Sequence, residues 1–425
     1  MPWVTRIKAA AALLLALAAP ACSGGPPTPN ALIVTIDTLR RDHVGAYGDD
    51  RGLTPRFDAP AAEGLVHENA YTTMPTTGPA HLSALTGLYP SELGSRRNGE
   101  PLQERFSSRE LAQQLRRRGY ATAAFVTTRL IANAATGLRG FEIYDAPRSV
   151  LRPGDDAVSA ALAWLDVEKR RPVFVWLHLY EPHAPYGTSD EKGRSFPVDP
   201  SRYGFVDRDY YASSENRRAL EERYARGVQS ADVALGRIVD GMRERLGASL
   251  FVLVAADHGE SFAEHLEERG FAYDHGKYLD PEEVEIPLIV VGPGIAPGRS
   301  RGAASLRDVY TTILGASGAG DPDAKSEDRR DLRLRDDARR VVRIERRAFR
   351  AAVPDSVKAH AAAAADGTRL VILAEDGSSP DAADPLAADL LEAARSGLDP
   401  RAATATPAAI SSETREALRD LGYVE

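Results

Sequence analysis

Residue types able to do metal-assisted ester chemistry recur at the ends of apolar runs in this chain. Asp37 closes the run Ala31-Leu32-Ile33-Val34-Thr35-Ile36, and Asp257-His258-Gly259-Glu260 follows a second run that begins at Leu250. Two carboxylates and an imidazole, joined by a hydroxyl, suit Zn²⁺ or Mn²⁺, whereas an oxygen-only Ca²⁺ site would not need the histidine. The hydroxyl on offer is Thr77, in Thr76-Thr77-Gly78-Pro79-Ala80-His81. Threonine is a weak nucleophile until a metal or base helps to remove its proton. The spacing predicts that Thr77 caps a helix with Pro79 in its first turn. Unpaired N–H groups and the positive end of the helix dipole would there attract phosphate or sulfate. Taken alone, that segment reads more simply as an ordinary capped helix; the set Asp37, Thr77, Asp257 and His258 lends it a chemical reading.

A second group lies in His178-Leu179-Tyr180-Glu181-Pro182-His183, and His275-Gly276-Lys277 adds an imidazole and an amine. Glu181, His183 and His275 could hold a second ion, making the metal pair that clamps attacking and leaving oxygens. Alternatively, His183 and His275 carry no metal and hold the substrate or protonate its leaving group. Asp232 reads as a hydrogen-bonded helix residue, and Arg40 and Arg41 as packing or surface groups. Glu260 and His265 read as supporting or solvated neighbours of the metal motif.

Strands and helices must bring these residues together. Apolar, β-branched runs at 31–37, 121–126, 173–178, 250–257 and 286–291 alternate with helical patterns at 79–85, 108–118, 155–168 and 216–245. The alternation predicts an α/β fold: a mostly parallel central sheet covered by helices on both faces, with ligands bound beyond the carboxyl ends of its strands. Residues 186–214 read as a polar insertion, a substrate-side lid. Residues 321–340, dense in both charges and without a core face, read as a solvated linker or surface helix. A strand at 368–373 and a terminal helix at 411–421 capped by Ser411 complete a small C-terminal α+β region at 320–425.

The chain has 425 residues, 27% charged and 43% hydrophobic, with a net charge of −8. That composition is globular and argues against a nucleic-acid partner. Arg6 and Lys8 precede the short apolar stretch 9–19, which reads as a signal peptide because it is too short for a permanent span. Cys22, the chain's one cysteine, sits in Ala19-Pro20-Ala21-Cys22-Ser23, which resembles a bacterial lipobox. Ala19 replaces the usual leucine and Pro20 is unusual, so a plain secretory signal is the alternative. The expected order is a signal peptide at 1–22, a tether at 23–30, a catalytic domain at 31–319 and the C-terminal region. The protein would be exported to the periplasm or cell surface and held at a bacterial membrane by lipid on Cys22.

Five segments stand in the order found in the sulfatase-like branch of the alkaline phosphatase superfamily. They are Ile36-Asp37-Thr38-Leu39-Arg40-Arg41-Asp42-His43, the stretch from Thr77 through Gly87 to Leu88-Tyr89-Pro90, Glu181-Pro182-His183-Ala184-Pro185-Tyr186, Asp257-His258-Gly259-Glu260, and His275-Gly276-Lys277 with Ile286-Pro287-Leu288-Ile289. The ending Leu418-Arg419-Asp420-Leu421-Gly422-Tyr423 is similar to a frequent terminus of the family. The resemblance implies an alkaline phosphatase-like fold, metal at Asp37, Asp257 and His258, and a nucleophile at Thr77. The departures are specific. Sulfatases of this family convert a Cys or Ser to formylglycine within Cys/Ser-x-Pro-x-Arg; here Thr77 and His81 occupy the nucleophile and arginine positions. The usual Asp-Asp pair is Asp37-Thr38, the usual Asp-Asn pair is Asp257-His258, and Thr127-Thr128-Arg129 lies where a Lys-x-His would help bind sulfate. These changes resemble the threonine-based phosphodiesterases and phosphotransferases that use Zn²⁺ or Mn²⁺, although Glu181 stands where aspartate is common in them.

The sequence therefore predicts a metal-dependent hydrolase with one or two divalent ions, Zn²⁺ or Mn²⁺ ahead of Ca²⁺. Its substrate would be a small-molecule, glycan or lipid phosphate mono- or diester. Thr77 would attack phosphorus and the phospho-threonine would pass to water. Lys277 and the backbone N–H groups after Thr77 would hold the non-bridging oxygens. Open alternatives are a sulfate-ester or phosphonate hydrolase using unmodified Thr77, a transferase acting on envelope glycans or lipids, and a non-catalytic binding lipoprotein.

Overall fold

The apolar runs become the centre of one eight-stranded sheet. The computed structural model describes residues 29–168, 171–188, 204–205, 208–318, 329–346, 360–374, 378–398, 410–412 and 414–416. The signal, lipobox and most of the tether lie outside them, as do most of the expected lid and the end of the expected terminal helix. Strands β1 (Asn30–Ile36), β2 (Leu65–His67), β3 (Ala121–Val126), β4 (Ile143–Asp145), β5 (Val173–Leu179), β6 (Leu250–Ala256), β7 (Leu288–Val291) and β8 (Gly298–Ser300) lie in the order β8-β2-β7-β6-β1-β5-β3-β4. All pairings are parallel except those of β7 with β2 and β6. The expected strand at 286–291 is cut by Pro287, which has no N–H for a ladder. Ile286 pairs instead with Ala70 in a separate small sheet.

β5 and β6 are buried throughout and β1 from Ala31 onward, as near-continuous apolar strands must be when helices cover both faces. Register then places the chemistry. Thr35 lies opposite His178 on one side and Ala255 on the other, and Ile36 opposite Leu179 and Ala256. Asp37, Tyr180 and Asp257 consequently leave the sheet side by side.

The principal helices are α1 (Pro55–Glu63), α2 (Thr77–Thr86), α3 (Leu111–Arg116), α4 (Gly154–Val167), α5 (Ser214–Leu246) and α6 (Asp308–Ala316). Every residue of α2 is buried, so this helix is inside the protein rather than on it. Asp232 of α5 accepts the Arg56 and Phe57 N–H groups at the start of α1, which satisfies helix donors that have no partner within α1. The expected helix at 108–118 is shorter. A 3₁₀ turn fills Glu104–Arg109, and the Glu110 carboxylate is taken by the N–H groups of Arg139 and Gly140.

The stretch expected as a solvated linker differs in its described part, 329–340. It contains no helix, Leu332 is buried, and Arg340 forms a buried pair with Asp308 at 2.5 Å. A charge-rich sequence is here drawn inward because an opposite buried charge and a leucine both have seats in the core. Beyond it, β9 (Val342–Glu345), β10 (His360–Ala365) and β11 (Leu370–Ala374) form an antiparallel sheet packed with α7 (Ala388–Leu398). Among the described residues no helix is long and apolar enough to cross a membrane.

Candidate metal centre and nucleophile

Two of the strand ends, those of β1 and β6, meet the start of α2 at a buried cage. Ligand atoms of Asp37, Asp257 and His258 lie within 4.8 Å of one another. His258 Nε2 is 3.8 Å from Asp37 Oδ1, 3.5 Å from Asp257 Oδ2 and 3.4 Å from Thr77 Oγ1. Edges of that length surround a metal with bonds of about 2.0–2.2 Å. His258 Nδ1 lies 2.9 Å from its neighbour Gly259's carbonyl, so Nδ1 carries the proton and Nε2 offers its lone pair to the cage. Asp257 Oδ1 accepts the N–H groups of His258 (2.8 Å) and Thr38 (3.2 Å), while among the described residues its Oδ2 accepts no hydrogen bond. Burial, with Asp37 beside it, pushes the Asp257 carboxyl well above the usual carboxylate range, and burial holds His258 well below its usual value. Carboxylates, a nitrogen lone pair and a hydroxyl face one another, and each carboxylate disfavours charge on the other. A divalent cation fits that donor set.

The loops that hold these ligands are conformationally demanding. Thr38 has φ 53°, a left-handed conformation costing about 1–3 kcal/mol for such a residue. The Tyr224 hydroxyl holds the turn by donating to the Thr38 carbonyl at 2.7 Å and accepting the Arg40 N–H at 2.8 Å. At Gly259 a Cβ would stand 1.9 Å from the Glu282 carbonyl, so only glycine permits this close approach. Glu283 then ties the loop together, accepting the Ser261 hydroxyl at 2.7 Å and the Gly276 N–H at 2.8 Å.

Thr77 is the first residue of α2, and Thr76 occupies the cap position without a side-chain cap bond. The expected capping role is therefore corrected: the Thr77 hydroxyl faces His258 rather than its own helix. The expected cradle of N–H groups is also absent. Gly78 N–H donates to Asn98 Oδ1 at 2.7 Å, Pro79 has none, and Ala80 N–H donates to the Thr76 carbonyl at 3.0 Å. Asn98 is buried beside the Thr77 turn, and with its oxygen engaged its NH₂ remains as the donor. No motif in the sequence signals it; Asn98-Gly99 reads only as a turn.

His275 lies against the cage, its ring centre 4.4 Å from that of His258 and 5.1 Å from that of His183. His183 stacks on Tyr180 at 4.2 Å. Burial works against a charge on His275, but Glu260, 3.2 Å from its Nδ1, together with Asp274 and Asp37, pushes it up to about 10. Lys277 is buried on the same loop, and the adjoining Gly276 packs against Pro75 and Thr76. Glu181 takes a different course. Its Oε1 accepts the Gly154 N–H at 2.5 Å, at the start of α4. Among the described residues Glu181, His183 and His275 do not form a ligand group, because the carboxylate is drawn to a helix N-terminus. His178 instead approaches Asp37, with Nε2 3.3 Å from Oδ2. His265, Asp280 and Glu282 form a further cluster, closed by Arg269 into a network with balanced charges.

The sulfatase family model matches residues 29–319. A Delta 4,5-hexuronate-2-O-sulfatase of Bacteroides thetaiotaomicron is 25% identical over 313 residues, covering 63% of this chain and 63% of that relative. The chain thus spans less than two thirds of that curated relative. Among solved structures, a 2-O GAG sulfatase has a TM-score of 0.63 at 19% identity, over 92% of this chain and 99% of that one. The phosphonate monoester hydrolase of Agrobacterium radiobacter has a TM-score of 0.61 at 18% identity, over 88% and 95%. The match takes in the sheet and the loops that carry Asp37, Thr77, Asp257 and His258, and the chain belongs to the sulfatase family.

Proposed function

We propose that this chain is a metal-dependent ester hydrolase that works through unmodified Thr77 and prefers phosphate or phosphonate esters to sulfate esters. The observation that carries this reading is the Thr77 hydroxyl 3.4 Å from His258 Nε2, inside the carboxylate cage. A bound divalent cation supplies two things: it eases loss of the hydroxyl proton, and it offsets charge on the transferring oxygens. Asp37, Asp257, His258 and Thr77 would hold it. A nitrogen ligand favours Zn²⁺ or Mn²⁺ over Ca²⁺.

Thr77 gives up its hydroxyl proton to solvent as Oγ1 bonds to phosphorus and the ester P–O bond breaks, and His275 gives a proton to the departing alkoxide. Water then cleaves the phospho-threonine. Lys277, His183 and the Asn98 NH₂ bind the non-bridging oxygens in place of the backbone N–H groups. The substrate is a small molecule or a glycan, and export with a lipid on Cys22 would place the enzyme at a bacterial membrane. The phosphonate monoester hydrolase among the structural neighbours supports the phosphorus chemistry. The sulfatase relative supports a second reading, sulfate-ester cleavage by the same hydroxyl.

Wild type and Thr77→Ala would be assayed side by side on aryl phosphate monoester, phosphodiester, phosphonate and sulfate substrates. Phosphorus-ester turnover lost in Thr77→Ala, with folding and bound metal intact, is the expected result. Undiminished turnover in the variant would overturn the assignment, and sulfate-only turnover would select the second reading.

A further inference from the structure

His81 has no part in the chemistry above, yet it is 1% exposed and both of its ring nitrogens are engaged. It lies on α2, four residues after Thr77. Nδ1 stands 2.7 Å from the Thr77 carbonyl, and Nε2 stands 2.9 Å from Thr35 Oγ1. The same Thr35 oxygen accepts the indole N–H of Trp176 at 3.0 Å. The directions follow from what each group can do. An indole N–H only donates and a carbonyl only accepts, so the Thr35 hydroxyl donates a hydrogen bond to Nε2 and Nδ1–H donates to the Thr77 carbonyl. One line of hydrogen bonds runs from β5 through β1 to the nucleophile's own peptide.

We propose that His81 is a positioning residue, a neutral brace that fixes the Thr77 end of α2 to Thr35 on β1 and so sets the nucleophile's distance from Asp37. The proposal rests on Thr77 being the nucleophile. Thr35 lies two residues before Asp37, so the brace joins the two segments whose separation defines the cage. It also gives a physical reason for the departure at this position. His81 Nδ1 is 3.7 Å from Asp257 Oδ2. An arginine there would bring a permanent positive charge to a carboxylate that the cation needs, whereas a neutral imidazole does not compete. His81 can be grouped with His178 and Asp257 as a metal cluster, but both of its nitrogens are already committed.

The test is a double-mutant cycle of Thr35→Val and His81→Leu, with His81→Asn as the conservative variant, whose amide nitrogen can sit where Nδ1 does. kcat, KM and bound metal would be measured for each, and ¹⁵N resonances recorded on histidine-labelled protein. His81→Leu should lower kcat about tenfold with KM within about twofold, and His81→Asn should restore most of the loss. Thr35→Val should lower kcat alone but add little in the His81→Leu background. Wild-type His81 should show the Nδ1-protonated tautomer, with Nε2 shifted by Thr35→Val. Wild-type kcat in His81→Leu, losses that multiply, metal lost in step with kcat, or an Nε2-protonated tautomer would each overturn the brace. Thr35→Val and the resonances decide the matter should His81→Leu fail to fold. The tautomer needs no turnover to be read, so a protein inactive on every ester would remove the Thr77 reading separately.

Discussion

The Thr77 hydroxyl oxygen stands 3.4 Å from His258 Nε2, although 181 positions separate the two residues in the chain. Parallel pairing of β1 with β6 brings the segment of His258 beside that of Asp37, and the buried helix α2 brings Thr77 to them. Removing the nitrogen should disassemble the ligand set without emptying the core. His258→Ala should weaken Zn²⁺ or Mn²⁺ binding at least about 100-fold, since even residues that only support ligands cost 10–100-fold. Chelator competition measures this, and an unchanged affinity would remove His258 from the site.

Glu283 holds two parts of the active loop through Ser261 and Gly276. Burial and then Asp280 push its carboxyl well above the usual range. Glu283→Gln should stay close to wild type in melting temperature. Glu283→Ala strands a buried N–H and should cost about 1–3 kcal/mol, with kcat falling as His275 and Lys277 shift. Equal melting temperatures for the alanine and glutamine variants would contradict this.

Asn98 is expected to act on the substrate anion as well as on Gly78. Asn98→Asp keeps the oxygen that Gly78 uses but replaces the NH₂ with negative charge. It should lower kcat/KM by about 100-fold or more on anionic esters, the scale seen when a transition-state donor is removed, while leaving the fold intact. Steady-state kinetics on a phosphodiester would show it; kinetics unaltered by the charge would place Asn98 outside the anion site.

Asp232 links stability to pH. Burial pushes its carboxyl up to about 6, against the N–H groups of Arg56 and Phe57 that favour its charge. The folded protein thus holds this proton more tightly than the unfolded chain. The resulting stability is complete below the unfolded value of 3.8 and is lost as pH rises through about 6. Urea midpoints of wild type and Asp232→Asn at several pH values should show the wild type's relative advantage shrinking between pH 4 and 7. A gap that widens over that range would reverse the sign.

The central strands were legible in the sequence because fully buried strands need unbroken apolar runs, and Asp37 and Asp257 stand where such runs end. The motif order singled out Thr77, His258 and His275, and these three lie together although far apart in the chain. Only the tertiary structure decided what each polar group touches, because those partners are distant in the chain. Pro287 broke a run that composition alone read as one strand. Glu181 went to the Gly154 N–H, Gly78 gave its N–H to Asn98, and Arg340 was drawn into the core by Asp308. Periodicity and spacing report which faces must be buried. They do not report which of several nearby donors a buried acceptor will find, and the choice between ligand, cap and brace turns on that.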